Sequence, residues 1–218
     1  IFYIHSRLLE RSTHLRPKFG GGSLTALPIV ATESGNISAY IPTNIISITD
    51  GQIYLSNDLF QKGIMPAIDT GRSVSRVGGQ AQLPAYRSLV GPLKLFYAQF
   101  EELESFSKFG VQLDTETQTR LKRGRAIRES LIQRQYKVVD VPTQIALFLA
   151  LNDGLFDDIS EDNVIKAQEL IHQLMIKEFS DVSILITDKK EKLSDKAKER
   201  ILTAIRKEFI KKGWMISQ

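Results

Sequence analysis

Glycine and proline divide this chain more sharply than any other residue types. Nine of its 14 glycines and four of its seven prolines fall before residue 83, in little more than a third of the 218 residues. Both residues interrupt regular structure. Glycine supplies backbone angles that other residues avoid, and proline has no N–H to give a helix or a ladder. A stretch so punctuated holds only short elements, whereas the rest is free to form long helices. The sequence therefore reads as α/β then all-α, with domains over residues 1–82 and 83–218.

Within the first domain, Phe2–Arg11 places Ile4, Leu8 and Leu9 at helical spacing. Leu24–Ala31 (LTALPIVA) predicts a strand entered through Gly20–Gly22. Asn44–Leu55 has two apolar arms around Asp50-Gly51, a tight-turn pair. Leu59–Lys62 predicts a short helix stopped by Gly63, and Ala67–Val77 an extended segment. In the second domain, Leu93, Phe96, Tyr97, Phe100 and Leu103 form a buried helical stripe. Gly91-Pro92 predicts a kink or restart in that helix. Asp114, Ser160 and Ser194 predict N-caps, with Ile159 and Val164 as a hydrophobic staple and Gly213 as a stop.

The chain has no cysteine, which excludes disulfides, thiolate metal sites and thiol nucleophiles. Its three histidines, His5, His14 and His172, lack zinc-type spacing. No apolar run approaches the ~18 residues of a membrane helix. The chain opens on Ile-Phe-Tyr without a charged-then-apolar leader, a pattern expected of the tail of a longer protein. The net charge is +4; residues 188–218 hold ten Lys/Arg against five Asp/Glu, so they carry +5 and the remainder −1. That distribution does not fit a nucleic-acid binder, whose cations spread over a face with aromatics between them. It fits a solvated basic helix face, or a contact with an acidic partner or membrane surface.

Gly20-Gly21-Gly22-Ser23 invites comparison with a phosphate loop, but no lysine follows, and G-x-x-x-x-G-K-[ST] occurs nowhere in the chain. The glycines read as a turn before a strand. Asp157-Asp158 suits either a metal or, more ordinarily, acid enrichment at a helix start. No metal site is expected. Arg76 follows an apolar-hydroxyl run and precedes Gly78-Gly79. An arginine there suits two uses. It can reach out to stabilise a phosphoryl group with its planar fork, or it can cap carbonyls or pair with Asp50 or Asp69.

The runs Phe2–Ser12, Gly20–Val30, Ser38–Leu55 (SAYIPTNIISITDGQIYL) and Ser73–Gly79 (SVSRVGG) closely resemble the alpha subunit of F-type ATP synthases. Phe106–Asp114, Gln133–Tyr136 (QRQY) and Asn152–Ile159 extend the likeness to about residue 160; beyond 165 only helical character and length agree. The SVSRVGG, QRQY and AYIPTNIISITDGQ runs favour alpha over the related beta and vacuolar-type B subunits, and the long C-terminal helical domain does not suit Rho or the flagellar export ATPases.

The resemblance implies the C-terminal half of a RecA-like P-loop nucleotide-binding domain followed by a helical bundle. It implies a ring of alternating alpha and beta subunits around a central gamma rotor shaft. Membrane contact would come only through the complex, peripheral to the cytoplasmic face or its matrix or stromal equivalent. No nucleic-acid partner is implied. By the same likeness, Arg76 is the arginine finger offered to the beta catalytic site, and Ser73, Val74 and Ser75 the strand that aims it. Ile46 and Ser47 line that interface. Phe60, Pro66, Gln133 and Gln135 match the adenine pocket of the non-catalytic site, with ATP or ADP and Mg²⁺ expected in the full subunit. Phe106–Asp114 matches the loop facing the shaft. Met65 stands where the family usually has arginine, and Asp69, Arg72, Pro84 and Pro92 are also unusual. These departures suggest a divergent branch, such as an alternative ATPase beside a standard enzyme. A second possibility is a non-catalytic assembly or regulatory module with no nucleotide chemistry of its own.

Overall fold

The computed structural model describes residues 1–107, 114–188 and 190–215. The chain forms two compact units, Ile1–Gly78 and Gly79–Gln218.

The first unit begins with α1 (Phe2–Leu9), followed by a small antiparallel ladder of β1 (Thr13–His14) and β2 (Ser23–Leu24). Gly20 and Gly21, at φ 99 and 66, make the turn between them. The rest of the predicted strand Leu24–Ala31 joins no ladder among the described residues. Pro28 removes one donor, and Leu27 and Ile29 are 81% and 98% exposed, so no neighbouring strand or packed face holds the segment.

The two apolar arms around Asp50-Gly51 are also not two strands. The first is the helix α2 (Tyr40–Ile48) and the second is β3 (Gly51–Leu55). Pro42 lies in the first turn of α2, where its missing N–H costs nothing and its fixed φ suits the helix. That local preference outweighs the β-branched character of the arm. The helix α3 (Asn57–Gln61) is capped by Ser56, whose hydroxyl accepts from the Leu59 N–H, and Gly63 follows at φ 75. The strand β4 (Ile68–Ser75) pairs antiparallel with β3.

Every regular element described in the second unit is a helix. The helix α4 (Pro84–Ser107) runs through Pro92 without a restart. Ala85, Leu89, Leu93, Tyr97 and Phe100 are buried on one face on both sides of the proline, so tertiary packing holds the two halves in line. The helix α5 (Thr115–Leu131) is capped by Asp114, which accepts from the Thr117 N–H at 2.8 Å. It crosses α4 where Gly124 meets the buried Phe100 ring. The helix α6 (Val141–Asn152) is apolar on nearly every face and forms the centre of the bundle. Around it pack α7 (Glu161–Glu178), α8 (Ser180–Thr187) and α9 (Asp195–Lys211). Ile145, Phe156, Ile171, Ile201 and Phe209 make the core.

Ser194 caps α9 as its position predicts, and Gly213 follows it at φ 71. Ile159 and Val164 are both buried beside the start of α7. Ser160 starts that helix without a hydroxyl cap; its Oγ instead accepts from the Asn163 side chain at 2.9 Å. The basic tail lies largely on α9, whose Ala197, Ile201, Ile205 and Phe209 face inward while its charges face water. Two of those charges are matched across the bundle, by Arg200–Asp181 and Arg206–Asp153 pairs.

Candidate functional site

The site with the clearest chemistry is the end of β4. The Arg76 backbone N–H donates to the Asp50 carbonyl at 2.8 Å, fixing where the side chain leaves the strand. Its guanidinium then reaches back over the last turn of α2. Nη1 donates to the Ser47 carbonyl at 3.0 Å and Nη2 to the Ile46 carbonyl at 2.8 Å. Carbonyls in the last turn of a helix lack intrahelical partners and carry the negative end of its dipole. Two of the guanidinium's five N–H bonds are thereby used, and the other three remain available. Arg76 is exposed, and among the described residues no carboxylate lies within ion-pairing distance of it. Asp69 pairs with Arg72 instead, at 3.6 Å. Of its structural uses, capping carbonyls is therefore the one adopted.

The strand leading to Arg76 is unusual. Gln52 pairs with Val74 and Tyr54 with Asp69, so Ile53 faces four residues, Thr70 to Ser73. This bulge is closed by side chains. The Asp69 carboxylate accepts the Gly71 and Arg72 backbone N–H groups, both at 2.9 Å. Ser73 Oγ accepts the Tyr54 N–H at 3.0 Å and donates to the Asp69 carbonyl, replacing the missing ladder bond. Arg72 donates to the Tyr54 hydroxyl and lies over its ring. Past the bulge, Gly51 pairs with Ser75, with no room for a side chain: a Cβ there would lie 2.2 Å from the Val74 carbonyl oxygen. Ser75 Oγ accepts the Gly78 N–H at 3.1 Å.

Arg76, Ile46 and Ser47 are thus joined by direct hydrogen bonds, with Ser73, Val74 and Ser75 on the strand behind them. The four base-pocket candidates divide between the units. In the first, Phe60 on α3 is 58% exposed, and Pro66 follows Met65 through a cis peptide. In the second, Gln133 and Gln135 lie between α5 and α6; Gln133 donates its amide N–H to the Lys137 carbonyl at 2.7 Å, and Gln135 is exposed.

A family model for the C-terminal domain of the ATP synthase alpha and beta subunits matches residues 82–208. A second, the ATP synthase alpha/beta family nucleotide-binding domain, matches residues 1–75. The chain is 60% identical over 182 residues to ATP synthase subunit alpha 2 of Syntrophus aciditrophicus, covering 84% of this chain and 35% of that subunit. It is 57% identical to subunit alpha 1 of Rhodopirellula baltica, covering 84% of this chain and 36% of that subunit. It is 53% identical to subunit alpha 2 of Albidiferax ferrireducens, covering 94% of this chain and 38% of that subunit. The chain belongs to the ATP synthase alpha-subunit family. It spans little more than a third of the length of these relatives. The family match continues well beyond residue 165, to 208, where the sequence showed only helical character.

In this alpha-family chain, residues 108–113 of the segment Phe106–Asp114, expected from the resemblance to face a shaft, lie outside the described residues. Phe106, at its near edge, is 67% exposed. Among the described residues no group of acids and histidines is placed to hold a metal, and no helix is long and apolar enough to cross a membrane. Asp157 and Asp158 precede α7 in a turn. Burial raises the Asp157 pKa, only partly offset by Arg123, and Asp158 pairs with Lys122 at 2.8 Å.

Sequence reasoning missed the bulge and its braces. Gly71, two residues after Asp69, was the available signal, since a short acid ahead of a glycine in a strand favours an Asx turn. It also missed the ion pair between Arg128 and Glu104, bidentate at 2.8 and 2.7 Å, which ties α5 to α4. Burial works against that guanidinium, but the bonds from Glu104 and Tyr97 outweigh it and raise its pKa.

Proposed function

We propose that this chain serves as part of the alpha subunit of a rotary F-type ATP synthase. Arg76 acts in trans as the arginine finger for a neighbouring beta catalytic site, in ATP synthesis and hydrolysis coupled to ion transport. The observation that carries this reading is the seating of Arg76. Two donors rest on the Ile46 and Ser47 carbonyls, and the rest of the fork is open to solvent with no carboxylate at ion-pairing distance among the described residues. A guanidinium so held is oriented before a phosphoryl group arrives. Its contribution is electrostatic: charge that grows on the equatorial oxygens during transfer meets fixed donors and requires little reorganisation. Ser73, Val74 and Ser75 aim it, while Ile46 and Ser47 form the platform at the subunit boundary.

On this reading the first unit is the later half of a RecA-like domain and the second the helical domain. Phe60 and Pro66, and separately Gln133 and Gln135, are base-binding side chains of the non-catalytic nucleotide site. Mg²⁺ with ATP or ADP would be held there mainly by residues this chain lacks. Beta subunits and the gamma shaft are the partners, in a complex peripheral to the membrane. Met65, Asp69 and Arg72 mark a divergent branch, a reading supported by relatives named subunit alpha 2 and alpha 1.

The test is Arg76→Ala and Arg76→Lys in the assembled complex. ATP turnover should fall by roughly 10³–10⁵ in the alanine variant. The lysine variant should recover little, because an ammonium cannot reproduce the planar fork. Retention of most of the rate in Arg76→Ala would refute the finger assignment. The absence of a P-loop motif from these 218 residues favours a second reading, an assembly or regulatory module without nucleotide chemistry. It predicts no ATP hydrolysis and weak ATP binding by the chain alone, and tight binding would contradict it.

A further inference from the structure

We infer that Arg72 is a second functional arginine of β4: a positioning residue whose side chain, clamped on Tyr54, fixes the bulge that delivers Arg76 to the Ile46 and Ser47 carbonyls. This role rests on the finger function proposed above for Arg76 and adds a residue through which that finger is held.

The bulge decides which way Arg76 faces. Between the pairs Tyr54–Asp69 and Gln52–Val74, Ile53 stands alone against Thr70 to Ser73, an excess of three residues on β4. Side chains alternate between the two faces of a strand, so an odd excess reverses the face taken by every residue beyond it. One residue more or fewer in the bulge would turn Arg76 away from the carbonyls of Ser47 and Ile46, which it now meets at 3.0 and 2.8 Å. An unbroken ladder fixes such a count by its own hydrogen bonds. A bulge interrupts the ladder, so side chains must fix it instead.

Arg72 is placed to do so. Its N–H is held by the Asp69 carboxylate at 2.9 Å, and its carbonyl accepts from the Gln52 side chain at 3.2 Å. Its guanidinium folds back across β3 although solvent is open to it. Nη1 donates to the Tyr54 hydroxyl at 3.1 Å, and the central carbon of the fork lies 5.0 Å from the Tyr54 ring centre. Tyr54 is itself anchored: its N–H donates to Ser73 Oγ at 3.0 Å and its hydroxyl to the Gly35 carbonyl at 3.3 Å. The clamp therefore ties the bulge to the opposite strand and to the turn Glu33–Gly35. The exposed ion pair of Arg72 with Asp69 adds little by itself. The stacked, hydrogen-bonded fork is what restrains the bulge.

The experiment measures steady-state ATP hydrolysis by the assembled complex, together with hydrogen exchange at the Arg76 amide, which donates to the Asp50 carbonyl at 2.8 Å. Arg72→Ala should lower kcat roughly ten-fold with KM unchanged, as loss of aim in a transition-state contact does. It should also speed exchange of that amide. Tyr54→Phe removes only the hydroxyl end of the clamp and should lower kcat roughly three-fold. Arg72→Ala and Tyr54→Phe combined should cost no more than Arg72→Ala alone, because both break one set of contacts. In an Arg76→Ala background, Arg72→Ala should cost nothing further, since it acts through the finger; an added loss there overturns the role. So do parent kcat and parent exchange in Arg72→Ala, the result expected of a residue that serves only folding. Should that variant not assemble, the same result in Tyr54→Phe overturns it. If Arg76→Ala itself hydrolyses ATP at the parent rate, the finger reading fails and the positioning role falls with it. A parent-like Arg72→Ala beside an inactive Arg76→Ala sinks the positioning role alone.

Discussion

Gly51→Ala tests whether the aim of Arg76 is set by contact between β3 and β4. A Cβ on Gly51 would lie 2.2 Å from the Val74 carbonyl oxygen and 3.0 Å from Ser75 Cα. Both neighbours are backbone, so neither can rotate aside. Relieving the overlap requires the strand that ends in Arg76 to shift by roughly 1 Å; on the proposed finger role of Arg76, a displacement of that size in a positioned catalytic group costs on the order of 10²-fold in rate. The residue also sits at φ 151, which alanine does not tolerate readily, so stability should fall by ~1–3 kcal/mol as well. The assay is steady-state ATP hydrolysis by the assembled complex, with a urea titration to separate rate from unfolding. Gly22→Ala is the control, since its Cβ meets nothing within 4 Å and its φ is ordinary. It should change neither quantity. A Gly51→Ala complex hydrolysing ATP at more than half the parent rate would show that the strand contact does not position Arg76 for the proposed finger role.

Other predictions concern the helical unit. Gly124→Ala drives a Cβ to 2.0 Å from the buried Phe100 ring, so despite alanine's better helix propensity the variant should lose ~1–2 kcal/mol in denaturant unfolding. Glu104→Ala leaves Arg128, at 14% side-chain exposure, without its bidentate partner; a loss of ~2–3 kcal/mol is expected, and a neutral result would mean water replaces the carboxylate. Burial raises the pKa of Asp157 above its unfolded value, so the ionised form opposes folding once pH exceeds that range. Asp157→Asn should therefore raise the urea midpoint at neutral pH, with the gain vanishing below about pH 3, where the carboxyl is protonated in both states. Hydrogen bonds from Thr143 and the charge of His172 outweigh burial at Asp140 and lower its pKa. Its stabilising contribution is thus present at neutral pH and is lost as pH falls through that depressed value, and Asp140→Asn should remove this step from an acid-unfolding curve.

The helical unit was largely legible because its signals are local and periodic. The α4 stripe and the caps at Asp114 and Ser194 follow from spacing and from orphan backbone groups. The first unit was less so. LTALPIVA has strand composition, but a ladder also requires a neighbour, which composition cannot supply. The arm before Asp50 is rich in isoleucine, and only the position of Pro42 betrayed a helix. Arg76 stood out beside its glycine turn, and the family likeness set Ile46 and Ser47 at the same interface, yet no local pattern joined its guanidinium to their carbonyls, because that contact is made across 30 and 29 residues of sequence.

The bulge between Asp69 and Ser73 gives the arginine strand a slack segment. Asp69 and Ser73 supply its bracing bonds, Arg72 reaches the Tyr54 hydroxyl on β3, and the Gly51–Ser75 pairing next to Arg76 lies beyond it. A conservative change at Thr70, which makes no side-chain hydrogen bond among the described residues, should therefore leave the Arg76 contacts with Ile46 and Ser47 in place, whereas a change at Arg72 removes one of the braces.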